Sequence, residues 1–450
     1  MFVLLISTYD LGRQPFGLAS PAAWLRDAGV DVACADLAKE QLREDTVRAA
    51  DVVGFFLPMH TATRLALPVI DRVRALNPRA RLVAYGLYAP INAELLRERG
   101  VGEIFGGEFE EALVSCVTAG AAVRTSAEQR LRAPSTLPRL RFKTPVRDGL
   151  PPLSRYARLQ VGAEQRTAGY TEASRGCKHK CRHCPVVPVY NGLFRIVDPG
   201  IVLADIRNQV AAGAGHITFG DPDFFNGIRH AATVVEAFAR EFPGVTYDVT
   251  IKVEHLLRHA SLLPVLRETG CAFVTTAVES LDDGVLEKLE KGHTRADFER
   301  VVALTREHDL VLAPTFVAFT PWTTLGSYLD LLDTIERLEL IDQVAPVQLA
   351  IRLLVPQGSR LLELPDMRAA VTHYDPRWLT YTWVHADPRV DTLQRDIEAL
   401  VGTSLTQDRR HVFERIRALG YRRAARPMPA TRAAAISRAT IPFLNEPWYC

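Results

Sequence analysis

The stretch SRGCKHKCRHC, residues 174–184, places three of the chain's seven cysteines within eight positions. Thiols this close together cannot tie distant segments as disulfides, and an odd number cannot pair among themselves. The C-x3-C-x2-C spacing of Cys177, Cys181 and Cys184 therefore predicts a metal centre. Three thiolates with one place left open suit a cubane iron–sulfur cluster whose fourth iron accepts another ligand.

A single zinc ion is the alternative, with His179 or His183 as the fourth ligand. Structural zinc sites usually join two ligand pairs across a longer spacer, whereas all the candidates here lie within eight residues. One tetrahedral ion is hard to enclose from so short a loop. The spacing therefore favours the cluster over zinc.

The cysteine loop follows the first of six candidate strands that alternate with amphipathic stretches across residues 166–358. Six β/α repeats are two fewer than a closed eight-fold barrel contains, so we expect a partial, open barrel. Loops at the carboxyl ends of barrel strands carry the catalytic residues of such folds. The position of the cysteines thus agrees with their chemistry.

Residues 1–118 show a separate alternation of five short apolar runs with helical segments. This pattern predicts an α/β, doubly wound, Rossmann-like domain whose ligands bind at the carboxyl ends of its strands. Residues 119–165 are rich in Arg and Pro and predict a linker, with a basic strip facing a ligand as the alternative. Residues 359–450 predict a small mixed carboxyl-terminal region and tail.

Composition is that of a globular protein, with 48% hydrophobic and 24% charged residues and a net charge of +2. The near-neutral charge argues against nucleic acid as a partner. No apolar run approaches the ~20 residues that span a bilayer, and the apolar start lacks a basic leader. The other four cysteines are scattered, which is typical of a reducing cytoplasm.

The cysteine spacing resembles the signature of the radical S-adenosylmethionine (SAM) superfamily. The resemblance implies a [4Fe-4S] cluster whose open iron binds SAM, reductive cleavage of SAM to a 5′-deoxyadenosyl radical, and an electron donor such as flavodoxin or ferredoxin. The family usually has an aromatic residue before the third cysteine, where this chain has His183. A planar imidazole can pack against the adenine in the same way.

The resemblance extends to the ends of the following strands. FGDPDFFNG follows the second strand, where Gly220 would allow close backbone approach and Asp221 or Asp223 would accept from the methionyl ammonium group. Taken singly, a carboxylate at a strand end is more often a surface or capping group. The resemblance also implies cofactor contacts from three polar residues on the rim of the third and fourth strands: Glu254, Glu279 and Ser280.

A doubly wound domain ahead of such a barrel is similar to the cobalamin-binding domain of one large branch of the superfamily. The candidate contacts are three loops at carboxyl strand ends: residues 7–11, 58–61 and 85–88. His60 is the only histidine in these loops, and it is either a cobalt ligand or a polar residue at a helix start. The domain either binds the corrinoid or is a degenerate copy that does not.

The terminal residue Cys450 resembles the tails of a small subgroup of these enzymes that read C-U-A-E-P or C-C-A-E-P, where U is selenocysteine. A gene model that missed the selenocysteine codon would end at the preceding cysteine. The alternative is a spare thiol on a frayed end. The resemblance implies a thiol and selenol pair able to hold a soft metal or metalloid.

Together these patterns predict an enzyme, a transferase that modifies a small-molecule substrate. Cobalamin-dependent methyl transfer is the first reaction type that we consider. Aminocarboxypropyl transfer from SAM to a soft acceptor is the second. A non-catalytic zinc or iron–sulfur protein is the alternative from another class. An RNA-modifying enzyme would use the basic segment 124–147, but the overall charge argues against it.

Overall fold

The computed structural model describes residues 1–118, 140–404, 407–430 and 443–444. None of the helices in these ranges combines the length and the apolarity that crossing a membrane requires. The strands are β1 (Phe2–Ser7), β2 (Asp31–Asp36), β3 (Val52–Phe56), β4 (Arg81–Tyr85), β5 (Glu103–Phe105), β6 (Arg158–Val161), β7 (Glu164–Thr171), β8 (Ser174–Gly176), β9 (Phe194–Ile196), β10 (His216–Phe219), β11 (Thr246–Thr250), β12 (Cys271–Glu279), β13 (Leu312–Phe316), β14 (Val371–Asp375), β15 (Thr380–Trp383) and β16 (Phe443–Leu444).

The first sheet is parallel throughout, in the order β2-β1-β3-β4-β5. Its central strands are buried on both faces because helices cover each side, which explains their unbroken apolar sequences. The helices are Phe16–Asp27, Glu44–Ala49, His60–Leu76, Ala93–Glu98 and Glu110–Thr118. The predicted doubly wound class is confirmed.

The second sheet runs β13-β12-β11-β10-β7-β6-β16, and the five strands from β7 to β13 in this order are parallel. It curls into the predicted partial barrel. Its helices and those of the carboxyl-terminal region are Val187–Tyr190, Pro199–Ala211, Ile228–Glu241, Val253–Arg258, Leu263–Glu268, Asp283–Lys288, Arg295–Glu307, Leu325–Arg337, Pro365–Ala370, Pro388–Gly402 and Arg409–Arg423.

The sixth predicted strand does not form as a strand. Residues 346–349 make a short 3-10 turn, and a single parallel bridge joins Phe319 to Arg352 beside β13. The amide of Phe316 donates to the side-chain Oε1 of Gln348 at 3.1 Å, so a side chain replaces the backbone partner that another strand would offer. The apolar pattern of the sequence does not show that a side-chain oxygen takes the place of a backbone acceptor here.

The range 119–165, predicted as a linker, contains β6 and the first residues of β7. Its described part also joins the two sheets. Arg147 binds both carboxylate oxygens of Asp205 at 2.8 and 2.9 Å and reaches Gln14 at 3.1 Å. The Tyr156 hydroxyl donates to Asp36 at 2.8 Å. These buried contacts fix one sheet against the other.

The carboxyl-terminal region packs against both units. The hairpin of β14 and β15 carries Leu379 into the apolar core of the first sheet, where it is 1% exposed. The two strand residues of β16 pair antiparallel with β6 and cover the edge of the second sheet. Cys450 lies outside the described residues.

Candidate functional site

The cysteine loop leaves β8 at Gly176, which has a φ of +76°. A Cβ there would lie 2.4 Å from the carbonyl oxygen of Leu193, so only glycine fits the turn. The Cys177 amide donates to that same carbonyl at 3.1 Å. Cys177 and Cys181 are buried, and Cys184 is half-buried.

Asn226 holds the start of the loop, a role that sequence reasoning missed. Its Oδ1 accepts from the Lys178 amide at 3.2 Å and lies 4.0 Å from the Cys177 sulfur, while its Nδ2 donates to the Gly176 carbonyl at 3.5 Å. The only signal was its position within FGDPDFFNG. Asn226 therefore orients the first of the three thiols.

Apolar side chains wall the cysteines on the side of the first sheet. Cys177 packs in a cluster with Val186, Val189 and Tyr190, and Leu87, from the loop after β4, packs against it. Burial raises the pKa of Cys177, and it raises that of Cys184 to about 12. These two thiols therefore stay protonated until a metal displaces the protons.

Both histidines of the loop face carboxylates rather than the sulfurs. His183 Nε2 lies 3.1 Å from Glu279 Oε1, and His179 Nε2 lies 3.5 Å from Asp223 Oδ2. Among the described residues, neither imidazole joins the cysteines in a group of three or more ligand atoms that all lie within 4.8 Å of one another. The donor set that remains is three thiols, two of them against an apolar wall, and it fits a cluster with one open iron.

Gly220 and Asp221 make contacts that support the segment leading to the cysteine loop. A Cβ on Gly220 would lie 1.8 Å from the Tyr170 hydroxyl, so the glycine makes room for that side chain. Asp221 is buried and accepts from the Ala173 amide at 3.0 Å and the Ser174 hydroxyl at 2.5 Å. Burial raises the pKa of Asp221 to about 7. The carboxylate braces the strand that leads to the cysteines.

Glu279 ends β12 with a φ of +69° and lies beside the buried ammonium of Lys291, at 3.3 Å. Burial raises its pKa, but Lys291 and His183 outweigh this effect and hold the pKa well below its usual range. The Glu279 carboxylate is thus a fixed anion on the barrel rim. The hydroxyl of Ser280 accepts from the Asp282 amide at 3.1 Å and caps the following turn.

Glu254 lies in the first turn of the helix Val253–Arg258 rather than on a strand. Its carboxylate binds Arg258 at 2.6 Å and lies 3.7 Å from both Lys252 Nζ and His179 Nδ1. It is therefore on the same rim as the cysteine loop.

Asp223 completes this rim and is fully buried between two imidazoles. Its Oδ2 lies 2.7 Å from His255 Nδ1 and 3.5 Å from His179 Nε2. Burial alone would raise its pKa, but the two histidines lower it to about 2. Within the described ranges, this is the one group of three or more candidate ligand side chains whose atoms all lie within 4.8 Å of one another.

The carboxyl edge of the first sheet faces the cysteine loop through Leu87 and its neighbours. His60 begins a helix there, and its Nε2 lies 2.5 Å from the Trp378 carbonyl, so this nitrogen is not directed at a cofactor. Two buried polar atoms on this edge, Ser7 Oγ and His60 Nδ1, have no hydrogen-bond partner among the described residues.

Comparison with known proteins agrees with this geometry. Residues 171–320 match the model of the Radical SAM superfamily. The anaerobic magnesium-protoporphyrin IX monomethyl ester cyclase of Rubrivivax gelatinosus is 22% identical over 326 residues, which is 67% of this chain and 58% of that protein. The chain thus spans less than two thirds of that relative.

Two solved structures share the fold across most of the chain. The cobalamin-dependent SAM radical enzyme OxsB, with aqua-cobalamin bound, superposes with a TM-score of 0.71 at 14% identity, covering 90% of this chain and 67% of that one. The radical SAM methyltransferase TsrM from Kitasatospora setae gives 0.62 at 19% identity, covering 83% and 77%. Residues 171–320 match the radical SAM domain, and that family implies a [4Fe-4S] cluster and SAM as cofactors.

Proposed function

We propose that the protein is a radical SAM transferase that modifies a small molecule, with Cys177, Cys181 and Cys184 as the ligands of its [4Fe-4S] cluster. The observation that carries the proposal is the placement of three thiols on one loop at the carboxyl rim of a partial barrel, with Nε2 of each loop imidazole facing a carboxylate. When bound, the cluster supplies the electron that cleaves SAM to a 5′-deoxyadenosyl radical.

The residues of the chain bind, orient and shield in this scheme. Asn226 and Asp221 hold the loop in shape, and the wall of Val186, Val189 and Tyr190 keeps water from the sulfurs. Glu279 stands on the rim as a fixed anion held by the buried Lys291, and a carboxylate there suits a cofactor that carries an ammonium group. An external reductant such as flavodoxin or ferredoxin would supply the electron.

We further propose that a cobalamin binds at the carboxyl edge of the first sheet and carries the methyl group. The support is that this edge faces the cysteine loop through Leu87 and presents the orphaned Ser7 Oγ and His60 Nδ1, which suit the amide groups around a corrin ring. Because His60 Nε2 lies against the Trp378 carbonyl, we expect no cobalt ligand from that atom.

The cluster assignment is tested by replacing Cys177, Cys181 or Cys184 singly with Ala. After anaerobic reconstitution, each variant should lose the [4Fe-4S] signal and all 5′-deoxyadenosine formation with SAM and reductant, because each residue supplies one iron ligand. Cys34→Ala is the matched control, since Cys34 lies on β2 in the first sheet, and it should keep both. A fully loaded, active cluster in any of the three loop variants would contradict the assignment.

The transfer type is read from the fate of SAM. Methyl transfer leaves S-adenosylhomocysteine, whereas aminocarboxypropyl transfer leaves 5′-methylthioadenosine. We expect the former, together with retention of hydroxocobalamin by the full chain on gel filtration. Formation of 5′-methylthioadenosine by a chain that retains no corrinoid would contradict methyl transfer and support aminocarboxypropyl transfer.

A further inference from the structure

We propose that His179, Asp223 and His255 form a second metal site, which binds one divalent cation of the zinc type beside the cysteine loop. Three ligand atoms converge there: Asp223 Oδ2, His255 Nδ1 and His179 Nε2. The oxygen lies 2.7 Å from the first nitrogen and 3.5 Å from the second. Ligands of a tetrahedral ion with bonds of about 2.0–2.1 Å lie about 3.4 Å apart, so small adjustments complete the site.

The three atoms face one another. All three are buried, and although Asp223 Oδ2 lies at ion-pair distance from both imidazoles, none of the three has a well-aligned hydrogen bond among the described residues. The second oxygen of Asp223, Oδ1, is already held by the amides of Phe225 at 3.3 Å and Lys252 at 3.5 Å. The backbone therefore fixes the carboxylate and directs its free oxygen at the imidazoles. Buried polar atoms left open in this way indicate a missing ligand.

The surroundings match those of metal sites that use histidine. A ligating imidazole usually directs its other nitrogen at a carboxylate, which fixes the ring and its tautomer. Glu254 Oε2 lies 3.7 Å from His179 Nδ1 and occupies that outer position. The side chain of His179 is 18% exposed, whereas that of Asp223 is fully buried. An ion can therefore enter past His179, and a water molecule can fill the fourth position from the same side.

The ligand chemistry selects the metal. Two imidazoles and one carboxylate suit zinc and related borderline ions, whereas calcium and magnesium prefer oxygen ligands. The site is separate from the cluster site because it uses no thiol. Its three ligands come from the cysteine loop, from the segment after β10 and from the helix after β11. A bound ion would therefore pin His179, and with it the middle of the cysteine loop, to two strand ends.

The test uses the full chain with its cluster reconstituted in iron and sulfide, and then exposed to zinc. We expect about one zinc per chain in addition to the iron, and a zinc-edge X-ray absorption spectrum with nitrogen and oxygen neighbours at about 2.0–2.1 Å and imidazole scattering. His255→Ala should weaken zinc binding by at least about tenfold. His259→Ala is the matched control, since its ring lies 5.8 Å from that of His255 and outside the ligand set, and it should bind zinc normally.

Three results would overturn the proposal. They are zinc binding by His255→Ala equal to that of the parent protein, a sulfur shell at about 2.3 Å that places zinc on the cysteines, and no bound zinc. Asp223→Asn keeps the shape of the side chain, and it provides the same comparison should His255→Ala fail to load its cluster. Zinc binding is measured without SAM, so failure of SAM cleavage would count against the proposed function and not against this site.

Discussion

Gly220 was predicted to allow a cofactor to approach the backbone, and in the structure it makes room for the side chain of Tyr170. Its Cβ position is filled by the ring and hydroxyl of Tyr170. We expect Gly220→Ala to destabilise the protein by about 1–3 kcal/mol, because the added methyl overpacks a buried contact. Chemical denaturation of both proteins measures the difference.

Gly402→Ala is the control for that experiment. Gly402 ends a helix and has open space at its Cβ position, so alanine there should leave the free energy of unfolding unchanged or raise it by up to about 1 kcal/mol. Equal stability of the Gly220 and Gly402 variants would show that Tyr170 moves aside freely.

Asp10, on the loop after β1, gives the fold a pH dependence. Burial raises its pKa to about 7 from the usual 3.8, Arg13 opposes the shift, and Glu172 adds to it. Between about pH 4 and pH 7, Asp10 is therefore protonated in the folded state and ionised in the unfolded state. The free energy of unfolding declines across this range as the pH rises. Asp10→Asn should become more stable relative to the parent by up to about 1.4 kcal/mol per pH unit across that window.

Thermal unfolding of the two proteins between pH 5 and pH 8 measures this change. Stability curves that stay parallel over that range would show that Asp10 has the same pKa in both states.

At the scale of the site, the residues that could be predicted from the sequence are those whose chemistry follows from spacing. Three cysteines within eight positions indicate a metal loop from the sequence alone. Asn226 and Lys291 carry no such signal, because an amide or an ammonium gains its role only from the tertiary neighbours that burial provides. The His179–Asp223–His255 group was missed for the same reason, since His179 lies 44 positions before Asp223 and His255 lies 32 positions after it.

The hairpin of β14 and β15 connects the carboxyl-terminal region to the first sheet. Leu379 at its tip is 1% exposed in a core whose other members all precede residue 105. We expect Leu379→Ala to cost about 2–4 kcal/mol in unfolding free energy, because it leaves a cavity in that core. Urea denaturation followed by intrinsic fluorescence measures the loss.

The neighbouring Trp378→Ala is the control. Trp378 is 51% exposed and stacks with Arg64, 3.8 Å from its guanidinium carbon, a contact worth about 0.5–1 kcal/mol at an exposed position. A larger effect from Trp378 than from Leu379 would contradict the burial argument.

Elements with a clear apolar period were predicted from the sequence, and the five parallel strands of each sheet are among them. The sixth barrel strand was predicted from the same kind of pattern but is a 3-10 turn, because the Gln348 side chain occupies the hydrogen-bonding position beside β13. Periodicity reports which residues are buried, and it does not report which group pairs with a strand edge. The hairpin tip was missed because its partner core lies in residues 4–104, at the other end of the chain.

At the scale of the whole molecule, one buried cation links the two sheets beside the cysteine loop. Arg175 lies two residues before Cys177 and binds both oxygens of Glu110, from the last helix of the first sheet, at 2.7 and 2.9 Å. Glu172 binds the same guanidinium at 2.7 Å, and Glu108 lies 3.9 Å away. Burial raises the pKa of Glu108 and Glu172, and Arg175 opposes that effect.

We expect Arg175→Met to destabilise the protein by about 3–5 kcal/mol, since it leaves the buried carboxylates of Glu108 and Glu110 and the half-buried one of Glu172 without their cation. Calorimetry measures the loss. Arg26→Met removes the exposed pair with Asp148 and should cost at most about 1 kcal/mol. Equal effects of the two substitutions would show that the buried network contributes no more than a surface pair.

The Arg175–Glu110 contact also bears on how such a chain can be recombined. Residues 1–118 look like an exchangeable module in the sequence, yet the guanidinium that neutralises Glu110 is encoded 65 positions later. A chimera that takes its first sheet from one homologue and its barrel from another inherits only one half of this pair unless both parents share it. The unit that evolution or an engineer can transplant intact is therefore larger than the unit that the alternation of strands and helices outlines.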